Sequence, residues 1–107
     1  MSQVVEVSDD SFNSEVLNSS MPVLVEFGAD WSAPCGQVLS ALEELALQYR
    51  GRFLIAKIDT DKNIGTSQRY SIKQLPVLIV FKNGQVCETV SGVRSKTQLE
   101  ALLNENL

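Results

Sequence analysis

Histidine is absent from the 107-residue chain. Its absence removes the commonest general base, the commonest zinc ligand and the usual partner of a serine nucleophile. Cysteine is scarce as well: Cys35 and Cys87 are the only two, too few to staple a small secreted scaffold, so reduced thiols are expected. No run of about 18 apolar residues is present to span a membrane. The opening Met1-Ser2-Gln3-Val4-Val5-Glu6 lacks a basic region followed by an apolar stretch, which predicts a cytoplasmic protein, or one acting in an organelle or plastid stroma after processing. Nine Lys and Arg against 13 Asp and Glu leave a net charge of -4. The basic residues are scattered, so there is no footprint for a phosphate backbone, and neither nucleic acid nor membrane is expected as a partner.

What remains is 44% hydrophobic and 21% charged, enough apolar area for one core without disulfides or a structural metal. No repeat, low-complexity tract or linker divides the chain, and residues 1–107 read as a single α/β domain. Val4 to Val7 reads as a strand. Ser8, Asp9 and Asp10 offer caps for a short helix carrying Phe12, Val16 and Leu17. Val23 to Phe27 is a strand apolar on both faces except for Glu26, as expected of a strand covered on both sides. From Pro34, apolar residues at Cys35, Val38, Leu39, Leu42, Leu45, Ala46 and Tyr49 follow helical spacing until about Gly51. Phe53 to Ile58 is a third strand, and Asp59-Thr60-Asp61 can cap a weakly patterned helix reaching about Tyr70. Pro76–Phe81 and Gln85–Val90 flank Asn83-Gly84, the signature of a hairpin. Ser95 with Gln98 is a capping-box pattern opening a last helix on Leu99, Leu102 and Leu103. The order is β-α-β-α-β-α-β-β-α.

Trp31-Ser32-Ala33-Pro34-Cys35, opening the long helix after a strand that ends in an aromatic, resembles the thioredoxin motif Trp-Cys-Gly-Pro-Cys with its first cysteine replaced. The likeness runs from about Val5 to Leu107 through Asp9-Asp10-Ser11-Phe12, Val23-Leu24-Val25, Ala56-Lys57, Leu75-Pro76, Phe81-Lys82-Asn83-Gly84 and Gly92. It implies a thioredoxin fold: a central mixed five-stranded sheet flanked by four helices, with three parallel strands, an antiparallel final hairpin and a cis bond before Pro76. There are also departures. The family usually has tryptophan where this chain has Gly28, a basic residue at Gly36, a proline at Ser40 and aspartate at Glu26.

Thiol–disulfide exchange starts with a thiolate, and a helix N-terminus favours that anion. Ser32 stands where the resemblance places the attacking cysteine. Its hydroxyl stays protonated, it has no histidine base, and it reads as a helix N-cap. Cys35 stands at the resolving thiol, or is simply a buried apolar residue. Glu26, costly to ionise in an apolar strand, should have a raised pKa unless Lys57 compensates. By resemblance Glu26 is a candidate proton relay, and by residue chemistry a carboxylate paired with Lys57. Trp31, Ala33, Pro34, Leu75, Pro76 and Gly92 form the implied groove for an extended protein substrate or client peptide. Cys87 falls too far along the sheet to partner Cys35.

Two readings follow. One is a redox protein of the family whose dithiol activity is lost with Ser32, either because a native cysteine was substituted or because the chain keeps the groove alone. The other is a non-catalytic binding or co-chaperone module. A glutaredoxin-like iron–sulfur carrier needs more soft ligands than Cys35 and Cys87 supply, and no cofactor or metal is expected. A thioredoxin reductase joins the partners only if position 32 is natively cysteine, and a monomer is expected.

Overall fold

The computed structural model describes residues 3–107, so Met1 and Ser2 of the opening segment lie outside the described residues. The β-rich runs form strands β1 (Val5–Val7), β2 (Val23–Gly28), β3 (Leu54–Asp59), β4 (Val77–Lys82) and β5 (Gln85–Ser91). They assemble in the order β1-β3-β2-β4-β5. β3 runs parallel to both β1 and β2, and β4 runs antiparallel to β2 and β5. Parallel neighbours need crossovers, and α1 (Ala33–Gln48) supplies the one from β2 to β3, while α2 (Ile64–Arg69) lies between β3 and β4, which are not neighbours in the sheet. α3 (Lys96–Glu105) closes the chain. The hairpin turn is made by Asn83 and Gly84, at φ 54 and 76, as a tight two-residue connection requires.

Alternation along β2 divides the interior. Leu24 joins Val38, Leu42, Leu45, Leu99 and Leu103 in the layer under α1 and α3. Val23, Val25 and Phe27 join Phe12, Val16, Ile79 and Phe81 on the other face. There Tyr70 stacks its edge on Phe81 at 5.2 Å between ring centroids. A strand buried on both sides thus carries almost no polar residue, and Glu26, on the Leu24 face, is the exception.

The first helix expected from the sequence is a single π-helical turn, Asn13–Leu17, so among the described residues three α-helices and this turn flank the sheet. Two expected caps are corrected. Ser8 and Ser11 bond each other's backbone N–H, at 3.3 and 2.9 Å, and Asp9 turns away from its own helix. Its carboxylate accepts from the Thr66 N–H and hydroxyl, at 2.9 and 2.6 Å, and from the Gly65 N–H at 3.3 Å. Asp9 therefore satisfies the start of α2. Asp59-Thr60-Asp61 does not: Asp59 Oδ1 accepts instead from the Asp61 N–H at 2.9 Å. The capping box at Ser95 and Gln98 is complete in both directions, and the Leu75-Pro76 bond is cis.

Candidate active site

The site forms where β2 ends and α1 begins. Ser32 is the N-cap of α1, in extended backbone at φ -90 and ψ 113, and its Oγ accepts from the Cys35 N–H at 3.4 Å. Pro34 occupies the first turn, where its missing N–H costs nothing. One turn of helix thereby sets Ser32, 8% exposed, beside Cys35, 5% exposed. The hydroxyl occupies the position at which helix N–H groups would otherwise favour an anion.

Below α1 lies Glu26. The register Glu6↔Lys57 between β1 and β3, and Glu26↔Lys57 between β2 and β3, puts Lys57 between two carboxylate residues in one row across the sheet. Leu78 is Glu26's neighbour on β4. Glu26 is 3% exposed, and its Oε2 has no hydrogen-bond partner among the described residues. Burial pushes its carboxyl up from 4.5 to about 7, and the Lys57 charge opposes that rise without cancelling it. Among the described residues Lys57 makes no direct ion pair with Glu26; Lys96 and Glu44, at 3.7 Å, form one elsewhere. Desolvation outweighs attraction here, so the tightly paired carboxylate considered from the sequence gives way to a buried acid only partly compensated by Lys57.

Two concavities flank Ser32. A rear cavity of about 120 Å³ brings together Glu26, Lys57, Ser32 and Cys35, with Gly28 and Gly36 among its walls. A front groove of about 550 Å³ is lined by Trp31, Ser32, Ala33, Pro34 and Leu75, and also by Thr60, Asp61, Ile72 and Lys73. Trp31 is 74% exposed, and its Nε1 donates to Asp61 Oδ2 at 2.7 Å, which fixes the ring over the groove. Pro76 and Gly92 do not line the groove. The Gly92 N–H donates to the Pro76 carbonyl at 2.9 Å, which ties the two loops behind Leu75 and leaves that carbonyl less available to a ligand.

Cys87 is exposed on β5 and remote from this constellation. It sits where the β4–β5 register shifts between Val80 and Phe81, as the extra residue of a bulge. No group of three or more His, Cys, Asp or Glu side chains able to hold a metal occurs among the described residues. No helix among them is long and apolar enough to cross a membrane. Sequence reasoning missed Asp61 and Lys73 in the groove and Gly36 and Asp59 at the cavity. Asp59, Asp61 and Lys73 arrive by tertiary folding with no local pattern to mark them, whereas Gly36 directly follows Cys35 and its place beside the motif was the signal.

Comparison with known proteins gives a consistent result. The family model described as Thioredoxin matches residues 3–105. The chain is 40% identical over 107 residues, the whole of both proteins, to "Thioredoxin 1" of Nostoc sp.. It is 44% identical over 104 residues, 97% of this chain and 96% of the relative, to "Thioredoxin" of Acidithiobacillus ferridurans. It is 37% identical over the full length of both to "Thioredoxin" of Haemophilus influenzae.

Proposed function

Because the chain belongs to the thioredoxin family, a family of redox proteins that carry out thiol–disulfide exchange, we propose that it is a one-thiol member. In this reading it receives protein substrates in the Trp31 groove and reacts only stoichiometrically, through Cys35. The observation that carries the reading is the hydroxyl of Ser32 at the α1 N-cap, bonded to the Cys35 N–H. Reducing a disulfide takes two thiols, one to attack and one to release the mixed disulfide. An alcohol protonated at neutral pH, in a chain without histidine, does neither. Cys35 can open a disulfide once and is then held in it.

Glu26 fits a proton relay to Cys35: a carboxyl titrating near 7 both accepts and gives up a proton at neutral pH. Lys57, its neighbour in register, moderates that titration. Trp31, Ala33, Pro34 and Leu75 contact the substrate, with the Pro76–Gly92 bond supporting the rim from behind. The setting is cytoplasmic, where two free cysteines stay reduced. The protein works as a monomer, and a thioredoxin reductase is a partner only of a form with cysteine at position 32.

A second reading, a binding or co-chaperone module, is favoured by the groove itself, whose exposed indole and apolar walls do not depend on the chemistry of Ser32. Insulin reduction in the presence of dithiothreitol separates the two from a full reductase. The expected result is no acceleration beyond the dithiol alone; multiple turnovers per chain would refute the one-thiol reading. Formation of a mixed disulfide on Cys35 with a substrate peptide then favours the redox reading over pure binding.

A further inference from the structure

Three features meet in the rear cavity, and the exchange proposed above uses Cys35 and Glu26 but not the space beside them. Its volume of about 120 Å³ is several times the roughly 10–15 Å³ that one water requires. Glu26 Oε2 lines it, buried and without a hydrogen-bond partner, and a bare buried acceptor is costly until something donates to it. The Cys35 side chain also faces it: a Cβ built on Gly28 would stand 2.9 Å from Cys35 Sγ and 3.7 Å from Glu26 Cδ. Sulfur and carboxyl therefore border the same bare patch of β2, close enough for one small molecule to touch both.

We propose that this cavity admits hydrogen peroxide to Cys35, which is oxidised there to a sulfenic acid with Glu26 carrying the proton. The Glu26 carboxylate takes the thiol proton. Cys35 Sγ attacks one peroxide oxygen, the S–O bond forms as the O–O bond breaks, and the departing hydroxide takes the proton back from Glu26 and leaves as water. Cys35–SH and H₂O₂ become Cys35–SOH and H₂O: sulfur gives up two electrons and the peroxide gains them. Charge selects the oxidant. Glu6, Asp30 and Asp59 surround the cavity together with Glu26 against the single cation Lys57, which repels anions and leaves a small neutral peroxide as the fitting substrate. The product persists, because the motif residue one helical turn before Cys35 is the alcohol Ser32 and the other thiol, Cys87, is exposed on β5. A carboxyl brought to about 7 by burial is suited to receive and return a proton near neutrality.

This step needs Cys35 and Glu26 but not the absence of dithiol activity, so the insulin result leaves it standing. The test uses the full chain with Cys87→Ser, which makes Cys35 the single thiol. Hydrogen peroxide is added, the sulfenic acid is trapped with dimedone, and the adduct is followed by intact mass. Cys35 is expected to react faster than free N-acetylcysteine, and bulky cumene hydroperoxide is expected to give no adduct. In the same background, Gly36→Met extends over the cavity from an exposed position whose Cβ meets nothing within 4 Å, and it should slow the reaction about tenfold. Glu26→Gln should slow it by about 100-fold and abolish the rate inflection near pH 7. A rate at or below that of the free thiol, or one that Gly36→Met leaves unchanged, overturns the proposal; should Glu26→Gln fail to fold, those two results decide it.

Discussion

In the function proposed above, one atom at position 32 decides the chemistry. In the one-thiol reading, oxygen in place of sulfur keeps the helix cap, which any small acceptor can make, and removes the nucleophile, which only the thiolate provides. Ser32→Cys should therefore restore a reversible disulfide with Cys35, since the two positions are joined by one helical turn through Ala33 and Pro34. The new thiol should have a pKa below the ordinary cysteine value, because it gains the helix N-terminus. A thiol count before and after mild oxidation, with insulin reduction by the oxidised and re-reduced protein, checks both. A mutant that forms the disulfide yet reduces nothing would favour the binding module. Ser32 was legible in the sequence as a cap because serine before a proline-led apolar periodicity is a local signal. Glu26 was legible because a carboxylate inside an apolar strand has few places to go. The weakness of its link to Lys57 was not, since adjacency in register does not say whether two flexible side chains meet.

Secondary-structure elements show the same division between local and distant causes. The last helix was readable because Ser95 and Gln98 form both halves of their box within four residues. Ser95→Ala should lower stability by about 1 kcal/mol, measured by urea denaturation with an unchanged m-value. The start of α2 was not readable: its donors are satisfied by Asp9, 57 residues earlier than Thr66. The hydrogen bond from the Thr66 hydroxyl, followed by that from its N–H, holds the Asp9 carboxyl below its ordinary pKa. Asp9→Ala should speed amide exchange at Gly65 and Thr66 while leaving Leu42 and Leu78 protected, because local opening at the end of a short helix does not require the core to open. Equal acceleration at all four amides would mean that Asp9 supports the whole fold. The Asn83-Gly84 hairpin was plain from its dipeptide. The bulge at Cys87 has no such mark: it switches Val86 and Glu88 to opposite faces, but β5 is too exposed for its apolar pattern to reveal the switch.

For the molecule as a whole, two acids pull stability in opposite directions with pH. Glu26 is raised in the folded state, so its contribution is complete below 4.5, its unfolded value, and is lost as pH rises through about 7. Asp9 is lowered, so its contribution is present above its ordinary value and is lost as acid protonates the folded carboxyl. The groups facing Glu26 are Lys57, Glu6, Asp30, Asp59 and Cys35, and among them only Lys57 favours its ionised form. Denaturation midpoints should therefore decline between pH 5 and 7. Glu26→Gln should flatten that decline and exceed the parent at pH 8 by up to about 3 kcal/mol; a parallel decline in both proteins would show that another group titrates. The fold as a whole was legible because the apolar runs, turns and caps agreed with one another. The site was legible only as far as its motif reached, and the cavity behind Cys35 follows from a residue that contributes no side chain, Gly28.

The indole of Trp31 has one more consequence. It is the chain's only tryptophan, it stands 74% exposed on the groove and is tethered to Asp61. Tryptophan emission therefore comes from the groove and says little of the interior. Water already bathes the fluorophore in the native state, so a melt followed at that wavelength changes little in colour even as the core comes apart. A peptide settling against the ring, by contrast, excludes that water and shifts the light, which makes the intact protein an unlabelled optical gauge of its own occupancy.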